Sequence, residues 1–194
     1  MIKYIQLVII ILTTAVVGYA FSPKEIIKKG TKLIYDVRRD GGSYTLEVEV
    51  KNNTKDLFLD WQINGPAKLN GSLNLNYKLI DSADGIANYF SDNTSDNNNL
   101  CNVVLSKKMF NALNKNEAIE IYTDKKNDIK SVFGNAILLT QTIGYNTNFS
   151  NELNCKTVTN GDNYQITYLN DADFPLIVEM QLDWYMRLRT IENR

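Results

Sequence analysis

Histidine is absent from the 194 residues of this chain, and its absence narrows the chemistry that the chain could perform. Ser-His and Cys-His catalysis, histidine general bases and nearly all zinc sites require an imidazole. Carboxylate chemistry, a Ser-Lys dyad and calcium bound by oxygen ligands remain as candidates. None of the three has a full sequence signature here, and we predict no cofactor and no metal.

The carboxylate candidates come from the tripeptide Leu-Asp-Trp, which occurs at residues 59–61 and again at 182–184. If the two strands that carry it pair, Asp60 and Asp183 could approach one another, and two close carboxylates are the machinery of glycoside hydrolysis. The simpler interpretation makes each aspartate the polar position of an alternating strand beside a core tryptophan. A carboxylate-dependent glycan hydrolase therefore stands as an alternative function.

Two other polar clusters have structural explanations. Ser106-Lys107 resembles a Ser-Lys dyad, but adjacent side chains point in different directions, and Ser106 is well placed to cap a helix. Asp92, Asp96 and Asn98 could bind calcium, yet their spacing lacks the glycine and the terminal glutamate of a calcium loop. We interpret the first as a helix cap and the second as a solvated loop.

The chain has two cysteines, Cys101 and Cys155. Two thiols in an oxidising compartment usually pair. A bridge between them would close a loop of about 55 residues, which the chain-entropy model values at roughly 4 kcal/mol. We predict a structural disulfide, with two free thiols as the alternative.

The elements that would position these groups are mostly strands, because apolar and polar residues alternate with a period of two. The clearest runs lie at 33–37, 44–50, 73–79 and 176–188, and further strands are predicted at 57–63, 118–122, 129–133, 137–143 and 164–169. Asp40-Gly41-Gly42 is typical of a hairpin turn. Helices are predicted at 107–114 and from Ser22. One-sided alternation indicates a mainly β fold with a single antiparallel, curved sheet, half-barrel or clam-like, with one or two short helices.

The aromatic content, with eleven tyrosines, seven phenylalanines and two tryptophans, suggests a use for the concave face of such a sheet. A curved sheet lined with aromatic and aliphatic side chains could hold an acyl chain or another apolar ligand. The candidate ligand-binding residues are Tyr35, Tyr44, Trp61, Tyr77 and Trp184. The alternative is that this face is only the hydrophobic core.

The N-terminus is typical of a secretory signal peptide. Lys3 precedes the apolar run 5–12, and the small residues Gly18 and Ala20 suit cleavage before Phe21. Residues 1–20 are therefore predicted to be a leader and residues 21–194 a single β-rich domain that is periplasmic or secreted. An uncleaved anchor is the alternative, since the apolar segment approaches the ~20 residues that span a bilayer, and it would be the only contact with the membrane.

The formal net charge is −1, and acidic and basic residues are interspersed. No basic patch is present in the sequence, which excludes the usual electrostatic footprint of a nucleic-acid-binding protein.

Four segments carry a resemblance to a known group. Residues 30–37, 44–50, 106–110 and 174–180 resemble a group of uncharacterised exported β-rich proteins of Gram-negative bacteria. The opening strand, with Gly30 and Tyr35, is more distantly similar to periplasmic β-clam proteins of the lipoprotein-carrier type. The closer group implies an exported β-rich fold and brings no functional residues. The distant one implies a half-barrel that shelters lipid.

These patterns favour an exported, non-enzymatic binding or scaffold protein of the cell envelope, with an apolar ligand on the concave sheet face. Besides the glycan hydrolase, a second alternative is a protein-partner module whose exposed sheet edge adds a strand from an envelope protein.

Overall fold

The computed structural model describes residues 27–65, 68–87, 100–124, 129–146, 149–160 and 163–193. The predicted leader, the helix predicted from Ser22 and the polar loop at 92–99 lie outside the described residues. The strands are β1 (Lys32–Arg39), β2 (Gly42–Asn53), β3 (Leu57–Asn64), β4 (Leu69–Leu75), β5 (Gly85–Ile86), β6 (Leu100–Cys101), β7 (Ile119–Asp124), β8 (Ile129–Tyr145), β9 (Phe149–Thr159), β10 (Gln165–Leu169), β11 (Ile177–Gln181) and β12 (Tyr185–Glu192). The helices are α1 (Tyr77–Ser82) and α2 (Lys107–Asn114).

The strands form one sheet in the order β4-β3-β2-β1-β12-β11-β10-β9-β8-β7-β5-β6. Most neighbours are antiparallel, whereas β5 runs parallel to β6 and to β7. The end of β8 also pairs in parallel with β12, through Gly144 with Thr190 and Tyr145 with Ile191. That pairing closes strands β8 to β12 into a ring, so the sheet is strongly curved. The prediction of a mainly β fold with a single curved sheet and short helices is confirmed. The sheet is mixed, however, because three of its pairings are parallel where an antiparallel sheet was predicted.

The first hairpin follows the sequence prediction. β1 and β2 pair in register from Arg39 opposite Gly42, and Gly41 in the turn and Gly42 at the start of β2 have φ angles of +99° and +145°. Residues other than glycine rarely adopt such angles, which explains why two glycines stand here. Alternate residues of β1, among them Leu33 and Tyr35, are fully buried.

The alternating run at 176–188 is a hairpin and not the one long strand that we predicted. β11 and β12 pair in antiparallel register, with Met180 opposite Met186, and residues 182–184 connect them. Buried and exposed residues alternate straight through the connection, and Trp184 is buried. Because the turn contains neither glycine nor proline, the alternation of apolar and polar residues gives no sign of a break in the strand.

The predicted strand at 73–79 ends early. β4 stops at Leu75, and the Asn76 side chain accepts hydrogen bonds from the backbone N–H groups of Lys78 and Leu79. This is an N-cap, for which asparagine is among the preferred residues, and it begins α1. Tyr77 therefore lies on a helix.

The two strands predicted at 129–133 and 137–143 are one strand, β8. A register shift between Gly134 and Ile137 interrupts its pairing with β9, and Asn135 there has a φ angle of +54°. This bulge bends the strand without ending it. The predicted strands at 57–63, 118–122 and 164–169 are confirmed within one or two residues, whereas β5, β6 and β9 were not predicted.

The predicted helix at 107–114 is confirmed, and so is its cap. Ser106 accepts a hydrogen bond from Met109 N at 3.1 Å, and its hydroxyl donates to the Ala83 carbonyl. Met109, Phe110 and Leu113 pack into a hydrophobic core cluster that strands of the whole sheet share.

The predicted disulfide is wrong. Cys101 lies on β6 and Cys155 on β9, and three strands stand between these two in the sheet. Both cysteines are buried free thiols, and burial raises the pKa of each thiol to about 12. Because a disulfide requires the two Cα atoms within about 7 Å, thiols at separate places in a core cannot pair.

Candidate functional site

Three of the five aromatic residues predicted to bind a ligand are core residues. Tyr35, Trp61 and Trp184 are 0%, 2% and 6% exposed. The Tyr35 hydroxyl donates a hydrogen bond to the Ile177 carbonyl at 3.0 Å, and burial raises the pKa of Tyr35. These side chains fill the inside of the sheet and present no open surface to a ligand.

The other two aromatic residues lie elsewhere. Tyr44 is half-buried on β2, and Tyr77 is exposed on α1, where the Lys55 ammonium lies 4.8 Å above its ring. The structure therefore does not bring the five residues together on one surface.

Asp60 and Asp183 are not brought together either. Asp60 lies on β3, whereas Asp183 lies in the connection between β11 and β12, and β2 and β1 separate these strands in the sheet. Each carboxylate accepts a hydrogen bond from a different hydroxyl, Ser72 for Asp60 at 2.6 Å and Tyr164 for Asp183 at 2.5 Å. The carboxylate pair that the hydrolase hypothesis requires does not form.

Asp60 belongs instead to a polar groove of about 350 Å³ on the solvent side of β1 to β4. The Lys51 ammonium lies 2.8 Å from a Glu49 oxygen and 3.3 Å from an Asp60 oxygen. Hydrogen bonds to Glu49 and then to Asp60 raise the pKa of Lys51. In the same groove, Lys32 lies 3.7 Å from Glu47.

These contacts pair carboxylates with ammonium groups at the surface, where solvent screening leaves such pairs little effect on stability. Across the described ranges, no group of three or more Cys, Asp or Glu residues is arranged to hold a metal ion. The groove can thus accept polar side chains.

The edge of the sheet next to this groove is open. β4 lies at one end of the sheet order, and among the strands of the described ranges it pairs only with β3. Its pairing with β3 runs without a register shift from Leu57 opposite Leu75 to Ile63 opposite Leu69. No other strand of the described ranges pairs with the outer side of β4.

Its sequence, Leu-Asn-Gly-Ser-Leu-Asn-Leu, contains none of the usual protection of such an edge. Natural edge strands are commonly blunted by charged residues, by proline, by a bulge or by being very short. β4 has seven residues, no charge, no proline and no bulge. Leu69, Asn70, Ser72 and Asn74 are exposed along it, and Leu69 is 46% exposed.

Two other places in the described sheet have a strand with a neighbour on one side only. At the opposite end, β6 has two residues, both buried. Residues 134–143 of β8 pair only with β9 among the described strands; the bulge at Asn135 makes the start of that edge irregular, and residues 137–143 pair with β9 in unbroken register. β4 and residues 137–143 of β8 are therefore the two longer edges of the described sheet that no second described strand covers.

No family model, curated protein or solved structure significantly matches this chain. In the part of the chain that the structure describes, no helix combines the length and the hydropathy that a membrane crossing requires.

Sequence reasoning placed residues 73–79 in a strand but could not identify β4 as an edge, because strand order depends on pairings between distant segments. One signal was present. A strand of alternating leucine and small polar residues without any charge is unusual at a solvent-facing position, and it could have marked β4 as a pairing surface.

Proposed function

We propose that this chain is a non-enzymatic binding or scaffold protein of the cell envelope that engages a protein partner through the open edge of β4. The observation that carries the proposal is the unprotected edge itself, seven uncharged residues in unbroken register with β3. Extended segments bind such edges by strand addition, in which backbone hydrogen bonds supply affinity and alternate side chains supply specificity.

The edge is better supported than an apolar ligand on the concave face. A ligand there would have to displace Tyr35, Trp61 and Trp184 from the core, and replacing such packing costs several kcal/mol. Strand addition needs no cavity and leaves the core intact.

It is also better supported than carboxylate catalysis. Asp60 forms an ion pair with Lys51 and accepts a hydrogen bond from Ser72. Strands β2 and β1 lie between it and the hairpin that carries Asp183, so the two carboxylates do not form a pair.

The location in the envelope rests on the N-terminal sequence. Lys3, the apolar run 5–12 and the small residues Gly18 and Ala20 favour export, which would bring the folded domain to periplasmic or secreted partners.

The expected interaction is reversible. A seven-residue strand directs about three or four residues to its outer side, and each backbone hydrogen bond contributes about 0.5–1.5 kcal/mol net. Loss of translational and rotational freedom offsets much of this gain. The side chains beside the edge must then complete the interface, and we expect affinities in the micromolar range.

Photo-cross-linking in the intact cell tests the proposal. A benzophenone amino acid placed at Asn74 on β4 should give a cross-linked protein adduct. The matched control places it at Gln62, which is exposed on the same side of the sheet but on β3, one strand inside the edge. An adduct from position 74 and not from position 62 supports the proposal, whereas no adduct, or equal adducts from both positions, would overturn it.

A further inference from the structure

We infer that the polar groove on the solvent side of β1 to β4 binds a neutral saccharide, a ligand made of sugar rings that carry hydroxyl groups. The inference does not depend on strand addition at the β4 edge, because it uses side chains on the face of the sheet and no backbone pairing. It gives the binding protein a second ligand, of a different chemical class from its protein partner.

The side chains in and beside the groove are accessible. The Asp60, Lys51 and Glu49 side chains are 43%, 39% and 32% exposed. Gln62 and Asn70, which also line the groove, are exposed. The groove volume of about 350 Å³ lies within the range of about 300–1,000 Å³ that small-molecule sites span. A ligand can therefore reach these groups without moving the core.

The first of two hydrogen-bonded chains of side chains crosses β2, β3 and β4. Ser72 donates to Asp60 at 2.6 Å, and the Lys51 ammonium lies 2.8 Å from Glu49 and 3.3 Å from Asp60. Because neighbours hold these side chains, a ligand meets them already oriented, which lowers the entropic cost of binding. A carboxylate can accept about four hydrogen bonds, so Asp60 retains acceptor positions for hydroxyl groups beyond these two contacts.

The second chain crosses β1, β2 and β3. The Gln62 amide donates to Asn64 at 2.8 Å, Asn64 donates to Glu47 at 2.7 Å, and the Lys32 ammonium lies 3.7 Å from Glu47. Side-chain amides carry both donors and acceptors. Donor and acceptor groups are thus interspersed along the groove, and a sugar hydroxyl can accept from one group while it donates to the next.

The charges in the groove favour a neutral ligand. Its carboxylates, Glu47, Glu49 and Asp60, are each in contact with an ammonium group, of Lys32 or Lys51. An anionic or cationic ligand would compete with these ion pairs for their partners. A neutral ligand with many hydroxyl groups only adds hydrogen bonds to them.

The shape of the groove suits more than one sugar ring. Its lining extends from Lys32 on β1 to Asn70 on β4. Neighbouring strands lie about 4.8 Å apart, so the groove crosses about 14 Å of the sheet. Such a length fits a short linear oligosaccharide better than a single small ion.

An exposed aromatic ring lies beside the polar groups. Phe58 precedes Asp60 by two residues on β3, on the same solvent face, and is 39% exposed. The face of a sugar ring presents C–H groups that pack on an aromatic ring, while the hydroxyl groups at its rim point to polar neighbours. Phe58 next to Asp60 and Gln62 offers both kinds of contact.

Fluorescence polarisation with labelled sugars tests the inference on the chain as the cell exports and processes it. The probes are linear tetrasaccharides of glucose, mannose, galactose and N-acetylglucosamine. We expect at least one of them to bind, with an affinity that is the same at low and at high salt, because a neutral ligand is not screened.

Variants then locate the bound sugar. Gln62→Ala should weaken binding about tenfold, the usual effect of a lost hydrogen bond. Phe58→Leu, which keeps an apolar side chain but removes the ring, should weaken binding about threefold to tenfold, and Phe58→Tyr should retain it. Ile137→Ala is the control, because Ile137 is an exposed apolar residue on β8, away from the groove.

Loss of binding in Gln62→Ala and Phe58→Leu, with binding kept in Phe58→Tyr and Ile137→Ala, supports the saccharide site. If none of the four probes binds, or if the groove variants bind as well as the unmodified chain, the inference is overturned. Neither result bears on the β4 edge, since cross-linking at Asn74 tests that proposal separately.

Discussion

The indole of Trp61 lies against the backbone of Gly71, the residue opposite it on β4, so closely that a Cβ on Gly71 would stand 2.7 Å from Cζ2 and 2.9 Å from Cε2. Trp61 is 2% exposed and cannot swing into solvent. The glycine therefore determines how the core meets the open edge of the sheet.

Gly71→Ala should destabilise the protein by about 1–3 kcal/mol, the usual cost of overpacking a filled site. Urea denaturation monitored by tryptophan fluorescence measures it. Asn74→Ala, an exposed change on the same strand, is the control and should change the free energy of unfolding by less than about 0.5 kcal/mol. Equal effects of the two substitutions would contradict the contact.

Trp184→Ala should cost about 3–5 kcal/mol, because it empties a buried aromatic site in the connection between β11 and β12. The adjacent Asp183→Ala should cost about 1 kcal/mol, the value of its hydrogen bond from Tyr164. Chemical denaturation of both variants gives the comparison. A loss below about 1 kcal/mol for Trp184→Ala would show that the indole is not in the core.

Tyr35 and Tyr168 form a matched pair, since both are fully buried but only one hydroxyl has a described partner. Tyr35→Phe removes the hydrogen bond to the Ile177 carbonyl and should cost about 0.5–1.5 kcal/mol. The Tyr168 hydroxyl has no hydrogen-bond partner among the described residues, so Tyr168→Phe should be neutral or stabilising. Thermal denaturation of the two single variants compares their losses of stability. A larger loss for Tyr168→Phe than for Tyr35→Phe would contradict the hydrogen bonding described for the two hydroxyls.

Alkaline pH should destabilise the fold through its buried thiols. Burial raises the pKa of Cys101 and Cys155 from 9.0 to about 12, so the unfolded chain releases these protons first. The contribution of these thiols to the free energy of unfolding is complete below pH 9. It declines as the pH rises toward 12, by about 1.4 kcal/mol per pH unit for each thiol.

Urea titrations between pH 9 and pH 10 measure this slope below the range in which the tyrosines contribute most. The double variant Cys101→Ala with Cys155→Ala should have a shallower slope over the same interval, whatever its absolute stability. A slope that the double variant leaves unchanged would mean that the thiols are not buried as described.

Local pattern in the sequence determined the strands and the facing of their side chains. Leu33, Tyr35 and Val37 are buried as the alternation predicts, and Trp184 is buried although the strand predicted around it is a turn. Ser106 caps α2, and the glycines after Asp40 form the first hairpin turn. All of these features depend on interactions between residues close in the sequence. Such interactions can be inferred from the alternation of apolar and polar residues and from the residues that favour turns.

Tertiary structure alone decided which strands meet, and with them the site. The run at 176–188 folds back on itself, with Met180 opposite Met186. Two strands, β2 and β1, lie between the strand of Asp60 and the hairpin of Asp183, and Cys101 and Cys155 lie at separate places in the core. The open edge of β4 likewise exists only because β3 covers one side of the strand and no described strand covers the other. Pairing between distant segments depends on the free energy of the whole sheet, and a period-two pattern is the same for an edge strand as for a central one.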